Sequence, residues 1–345
     1  MDTVIRPSKL HADRVPLIEA LNRWLTPESN GRRFEWLYLN NPHGEARVWL
    51  STLGATGSII GAAAAFPRKM LVRGVPTAGC VLGDFFIAPQ YRTIGPALQL
   101  QRACLDALDS PSLQIFYEFP AAAMLPIYKR LSIEPSDQMV RLAKPLRADR
   151  KLREIVKHPL VVRSLSGPIN RVMELRDLPR NHRSRCTIAV HTGSCGEEFT
   201  DLAHANSSEY GICTERSAEY LNWRYLNHFA RRYEILTARR DGRLVAYAVF
   251  TSDQENGEIA DLFGVCEPAV LSDLITGVVA RLRKKSIFTL STQMLDCHPW
   301  LGLFRKLGFR ERESCPVIHT GISESDRNRP MNSQPWFLMQ GDRES

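Results

Sequence analysis

The chain has 345 residues, 44% of them hydrophobic and 24% charged, with a formal net charge of +8. That length suffices for two domains of ordinary size, and the composition is that of a globular protein, which excludes a disordered or fibrous one. No apolar run approaches the roughly 20 residues of a bilayer span, and Met1-Asp2-Thr3-Val4-Ile5-Arg6 lacks the basic-then-apolar order of a signal peptide. A cytoplasmic protein without a membrane span is therefore expected.

In chain order, Trp36-Leu37-Tyr38-Leu39-Asn40 is followed by a strand-like run at 46–53, a turn signal at Gly54 to Gly57 and a second strand at 58–66. Asp84-Phe85-Phe86 leads through Pro89 to a helix over 97–108, whose Leu98, Leu100, Leu105 and Leu108 recur at helical spacing and would face a sheet. A strand at 113–117 and a short helix ending in Tyr128-Lys129-Arg130-Leu131-Ser132-Ile133 close this half.

The order then returns. Trp223-Arg224-Tyr225-Leu226-Asn227 precedes strands at 233–239 and 244–250, joined at Asp241-Gly242. Asp261-Leu262-Phe263 leads through Pro268 to a helix over 269–283 with Leu271, Leu274, Ile275 and Val278 on one face, a strand at 287–290, and a short helix ending in Leu303-Phe304-Arg305-Lys306-Leu307-Gly308-Phe309. Mixed strand and helix order made twice implies an α/β (α+β layered) fold of two similar domains. The expected division is 1–145, a connection at 146–198, and 199–345.

The connection is basic. Between Arg141 and Arg185 lie Arg147, Arg150, Lys151, Arg153, Lys157, Arg163, Arg171, Arg176, Arg180 and Arg183. Such a run is either a patch for an anionic polymer or membrane surface, or the solvated face of linker helices. No aromatic residues interleave as stacking platforms, which favours the second and argues against nucleic acid as a partner. The cysteines are scattered without a Cys-x-x-Cys; Cys80, Cys104 and Cys266 read as small core residues, and Cys297-His298 lacks further ligands at suitable spacing, so no metal is expected.

Asp84-Phe-Phe-Ile-Ala-Pro89-Gln-Tyr-Arg92-Thr-Ile-Gly95-Pro-Ala97 is the stretch that carries chemistry. A strand, a tight turn with an arginine and a glycine, and a helix start together offer unpaired N–H groups, the positive end of a helix dipole and a guanidinium fork to a pyrophosphate. Val265-Cys266-Glu267-Pro268, the matching place in the second half, has neither arginine nor glycine and sets a carboxylate where phosphate would lie.

These segments resemble the GCN5-related N-acetyltransferase (GNAT) superfamily, specifically its tandem-domain bacterial members, over nearly the whole chain. Asp84 to Ala97 is similar to the family's fourth strand and Arg/Gln-x-x-Gly-x-Gly/Ala loop; 125–133 and 303–309 are similar to its Leu-Tyr-x-x-x-Gly-Phe segment. The resemblance implies two GNAT-like domains, each a mixed, mostly antiparallel sheet flanked by helices, the second degenerate. It implies acetyl-CoA, or another acyl-CoA, as co-substrate. Phe86, Ile87 and Ala88 would pair with the pantetheine arm, and Arg92, Thr93, Ile94, Gly95 and Ala97 would hold the pyrophosphate. Pro96 departs from the pattern: proline suits a first helical turn but removes one donor.

The implied reaction is N-acyl transfer to a small-molecule amine, with an amino sugar or envelope polysaccharide precursor as a candidate acceptor. Tyr128 takes the place of the tyrosine beside the CoA sulfur and is the expected general acid. Asp84 could act as base or orient the acceptor ammonium, although Asp261 recurs at the matching place and both could serve a structural hydrogen bond. Glu118, in Phe116-Tyr117-Glu118-Phe119-Pro120, is the rival base. The Trp36/Tyr38 and Trp223/Tyr225 pairs read as packing anchors, and Trp336 to Asp342 as a closing strand. Two alternatives stay open: aminoacyl transfer from charged tRNA, and a degenerate pair acting as a binding or regulatory module.

Overall fold

Small and β-rich runs in the first half become β1 (Thr3–Pro7), β2 (Arg47–Leu53), β3 (Ile59–Val72), β4 (Val75–Ile87), β5 (Ile115–Glu118) and β6 (Asp137–Pro145). Between them lie α1 (Arg14–Trp24), α2 (Gly31–Phe34), α3 (Ile94–Leu108) and α4 (Leu125–Arg130). The connection holds α5 (Asp149–Ile155) and α6 (Pro159–Arg176). The second half has β7 (Thr187–Val190), α7 (Glu197–Asn206), β8 (Ile212–Thr214), α8 (Ala218–Leu221), β9 (Tyr233–Arg240), β10 (Arg243–Ser252) and β11 (Asn256–Gly264). It ends with α9 (Pro268–Lys284), β12 (Thr289–Leu295), α10 (Leu301–Lys306), β13 (Arg310–Gly321) and β14 (Trp336–Phe337). The computed structural model describes residues 3–54, 57–108, 113–156, 158–177, 184–321 and 335–344. Lys157, Arg180, Arg183 and part of the Gly54 to Gly57 turn lie outside them.

The strands form one 14-stranded sheet in the order β1-β2-β3-β4-β5-β13-β6-β12-β11-β10-β9-β7, with β8 joined to β3 and β14 to β8. Pairs are antiparallel except β4–β5, β11–β12 and β8–β14. The fold is thus the expected α/β arrangement of a mixed, mostly antiparallel sheet with flanking helices. At its centre the halves exchange strands. β13, from the end of the chain, lies between β5 and β6, and β6 pairs with β12 from Thr289↔Pro145 to Leu295↔Met139.

Local packing explains the main elements. Ala62 to Ala65 on β3 are all buried, and their small side chains let α1 and α3 approach both faces. On α3 the sheet side is Ala97, Leu100, Gln101, Cys104 and Leu108; Leu98 and Leu105 are only half-buried. On α9, Leu271, Leu274, Ile275 and Val278 are buried as the spacing predicts. Cys80 and Cys104 are core residues, but Cys266 is exposed, because it lies in the turn after β11 and not in the strand.

The repeated aromatic segments meet at the junction of the halves. Asn30 caps α2 by accepting from the Arg32 and Arg33 N–H groups (3.0 and 3.1 Å), and Ser217 caps α8 by accepting from Tyr220 N–H (3.2 Å). Each helix runs into a π-helical turn, Glu35–Leu39 or Asn222–Leu226. Trp36 and Trp223 stack with ring centroids 4.8 Å apart. Trp36 Nε1 donates to the Trp223 carbonyl (2.9 Å), and Trp223 Nε1 donates to the Trp36 carbonyl (2.8 Å). The contact is reciprocal, as a two-fold relation requires. Trp36→Ala is expected to cost about 3–5 kcal/mol in urea unfolding. Adding Trp223→Ala should cost clearly less than the sum, since both remove one stack; additive losses would contradict a shared contact.

Candidate active site

The site begins where β4 stops following its neighbours. Ala62 opposes Phe86 and Ala64 opposes Gly83, so Asp84 and Phe85 together face Ala63 in a bulge, and Asp84 has φ +46°. The parallel pairing of β4 with β5 covers only Gly79↔Ile115 to Val81↔Tyr117. Beyond Val81 the strands part, while β4 runs on to Ile87 and leaves its outer edge without a strand partner among the described residues.

Asp84 holds this bulge. Its carboxylate accepts from Arg33 Nη1 and Nη2 (2.6 and 2.8 Å) and from the Tyr38 hydroxyl (2.5 Å), all buried. Asp261 has a similar clamp, made by Arg216 (3.0–3.2 Å) and Tyr247 (3.2 Å), and Arg216 also meets Asp342 at 3.0 Å. Of the two parts the sequence left open for Asp84, this geometry serves the structural hydrogen bond: its charge is spent on a guanidinium and a phenol.

Past β4, Pro89–Tyr91 form a 3₁₀ turn and α3 starts at Ile94. Phe86, Ile87 and Ala88 are buried, and Ala88 N–H is spent on Ile60 O (2.7 Å). Arg92, Thr93, Ile94 and Gly95 are exposed. Arg92 Nε donates to the Ile87 carbonyl (2.9 Å), which ties the guanidinium to the strand end. Thr93 N–H is spent on Tyr91 O (2.7 Å). Ile94 and Gly95 keep first-turn N–H groups that have no partner within the helix, Pro96 has none to offer, and Ala97 lies on the buried side. A Cβ built on Gly95 meets nothing within 4 Å, so the helix start faces open space. An exposed anion cradle beside an unpaired strand edge fits a pantetheine-linked diphosphate.

Tyr128 lies on α4, 1% exposed. Its oxygen accepts from Gln101 Nε2 (2.8 Å), and its hydroxyl contacts Glu118 Oε2. Glu118 ends β5 at the parting of the strands; burial, then the charge of Glu344, pushes its carboxyl up to about 8. Glu344 comes from the far end of the chain. Its Cγ would lie 2.6 Å from a Cβ on Gly83, its Oε2 is buried without a hydrogen-bond partner among the described residues, and burial raises its pKa. The structure brings together Tyr128, Glu118, Gln101 and Glu344, and keeps Asp84 in its clamp. Gln101 was legible as the one polar residue on the apolar side of α3; Glu344 had no local signal.

The second half keeps the clamp and the parting but not the open helix start. Glu267 precedes α9 and pairs with Arg240 (3.0 Å). The parting of β11 from β12 after Ile259↔Thr292 is filled by the chain's own end: Met339 bridges Met294, and Leu295 N–H donates to Leu338 O (3.4 Å). Trp336 to Asp342 is thus less a closing strand than a plug, with only Trp336–Phe337 paired to β8. Cys297-His298 divides: exposed Cys297 lies beside Asp137 and Asp296, whereas buried His298 packs on Trp300 and Phe337, and burial pushes it down to about 3. A groove of 830 Å³ lies between α6, α9 and α10, and one of 590 Å³ beside Trp36 and Trp223; neither is lined by the Arg92 to Ala97 loop.

No protein-family model and no curated protein matches this sequence. Solved structures do match. A probable N-acyltransferase from Enterococcus faecalis V583, described as a conserved protein of unknown function, is 13% identical over 93% of this chain and 73% of its own, with TM-score 0.68. A GCN5-related N-acetyltransferase from Anabaena variabilis is 14% identical over 93% and 73%, with TM-score 0.66. N-myristoyltransferase of Saccharomyces cerevisiae, solved with bound myristoyl-CoA, is 11% identical over 91% and 82%, with TM-score 0.58. The chain has the GNAT fold.

The raised Glu118 pKa has a sign. Native Glu118 keeps a proton that the unfolded chain releases near 4.5, so stability falls as pH rises from about 4.5 through about 8. Glu118→Gln imitates the protonated form and should flatten this part of the pH dependence of the urea midpoint. An unchanged slope in the variant would place the carboxyl in water.

Proposed function

We propose that the protein is an acyl-CoA-dependent N-acyltransferase that moves an acetyl group to a small amine, with the co-substrate held by the first half. The observation that carries this reading is the open edge of β4 ending on the helix start of α3, where Ile94 and Gly95 are exposed. The fold shared with N-acyltransferase structures supports it. Phe86, Ile87 and Ala88 would line the pantetheine arm, and Arg92 with Thr93, Ile94, Gly95 and Ala97 would hold the pyrophosphate.

The neighbouring groups support a division of roles. The acceptor nitrogen attacks the thioester carbonyl carbon as the C–S bond breaks. Tyr128 gives its proton to the departing sulfur. Gln101 N–H and the protonated Glu118 carboxyl then donate to the phenolate oxygen, in the manner of an oxyanion hole. A neutral Glu118 suits this role, because an ionised one would repel the phenolate. Glu344, whose Oε2 has no hydrogen-bond partner among the described residues, takes one proton from the acceptor ammonium. The second, lost by the nitrogen as the amide forms, restores the Tyr128 hydroxyl. Asp84 acts at one remove, by holding the bulge that parts the strands. An amino sugar remains the acceptor class implied by the resemblance.

Acetyl-CoA should raise the thermal midpoint saturably, since a ligand bound only by the native state stabilises it by about 2.7 kcal/mol at a hundredfold excess over Kd. Arg92→Glu should abolish the shift. No shift at millimolar acetyl-CoA would overturn the reading in favour of aminoacyl transfer or a binding pair. Tyr128→Phe should leave the shift intact and lower kcat by about 10²–10⁴-fold; equal turnover would remove Tyr128 from the chemistry.

A further inference from the structure

α6 is amphipathic the wrong way round for a helix whose only neighbour is its own protein. Ser166, Asn170, Met173 and Asp177 are the side that meets the body. Ser166 is buried, and Asn170 accepts from Ala148 N–H (2.8 Å) and donates to Asp149 (2.9 Å). Met173 lines the groove against α9, and Asp177 pairs with Lys144 (2.5 Å) and Arg283 (2.6 Å). The opposite side is a stripe at i, i+4, i+8, i+11, i+14: Val161, Leu165, Ile169, Val172 and Leu175, exposed by 44, 44, 38, 50 and 52%. Ile155, at the end of α5, is 78% exposed and extends the apolar surface towards the start of α6. With Ser166, Asn170 and Asp177 turned inward and the apolar stripe turned outward, the stripe has no partner among the described residues.

The surroundings say what covers it. From Arg147 to Arg176 the sequence holds eight lysines and arginines against three carboxylates. Of these, Arg150, Arg153, Arg171 and Arg176 are exposed. A second copy on the same face would set this basic rim against itself. An anionic lipid surface meets both demands, with acyl chains for the stripe and phosphates for the arginines. Among the described residues no helix is long and apolar enough to cross a membrane, and the proposed contact is one that lies on the surface.

We propose that the outward face of α6 docks this protein on an anionic bilayer, with Val161, Leu165, Ile169, Val172 and Leu175 entering the boundary between headgroups and acyl chains. The basic connection thereby has a partner of a kind its sequence alone left in second place. Nothing in this depends on the acyltransferase reading.

The test is flotation of the full chain with vesicles of phosphatidylcholine containing about a third phosphatidylglycerol, and with phosphatidylcholine alone. The wild type should float with the anionic vesicles at low salt and much less with the neutral ones. Leu165→Asp with Val172→Asp, both at exposed positions, should reduce the partition by about tenfold or more at an unchanged thermal midpoint. Arg171→Gln with Arg176→Gln leaves the apolar stripe in place and should cost roughly fivefold per charge removed. A wild type that stays with the soluble fraction on anionic vesicles overturns the proposal. So does a Leu165→Asp/Val172→Asp chain that floats as well as the wild type, or a dimer in solution that this variant dissociates.

Discussion

An aspartate turned to positive φ inside a strand is strained, and stays there only if its surroundings over-determine it. At Asp84 they do: a bidentate arginine and a tyrosine hydroxyl take up the carboxylate where the protein is dry. The extra residue this bulge inserts turns the end of β4 away from β5, and that parting makes both the free strand edge and the space below it. Asp261 on β11 has an arginine and a tyrosine of its own, and β11 also parts from β12. A similar clamp thus stands at both partings, although Asp261, unlike Asp84, is not at positive φ and the extra residue on β11 is Ala260. Among the described residues the first parting stays free of a strand, whereas residues 335–344 thread into the second and then pass on to place Glu344 against Gly83. One segment closes the second half and furnishes the first.

What could be read from the sequence was what short-range chemistry dictates. The strand–turn–helix order around Asp84 and Asp261, the apolar side of α9 and the glycine at position 95 each follow from residues a few places apart. The exchange of β6 and β13 could not be read this way. Ile318 pairs with Glu118 across most of the chain, and a strand's periodicity says which face is buried but not which neighbour it finds. The repeat in sequence is not a repeat in contacts. Tyr38 and Tyr225 recur in sequence, yet Tyr38 bonds Asp84 while the partner of Asp261 is Tyr247 on a strand, and the Tyr225 hydroxyl lies against Gly341 instead. Glu344 joins the site only because the C-terminal segment is drawn back through the junction, which no local pattern announces.

The buried charges between the halves obey one rule in three forms. Arg33 is neutralised by Asp84, and Arg216 by Asp261 and Asp342. Glu118 avoids a charge by keeping its proton. Arg68 and Arg224 are 1% and 3% exposed and have no carboxylate partner among the described residues. Their guanidinium carbons lie 5.5 and 5.4 Å from the ring centroids of Trp223 and Trp36, the same two rings that stack at the junction. Aromatic faces attract a cation without adding a negative charge. That distinction matters here: another carboxylate near Glu118 and Glu344 would raise both pKa values further. The tryptophan pair thus joins the halves and gives two buried arginines an aromatic face, while Glu344 still feels the charges of Arg343, Asp84 and Arg224.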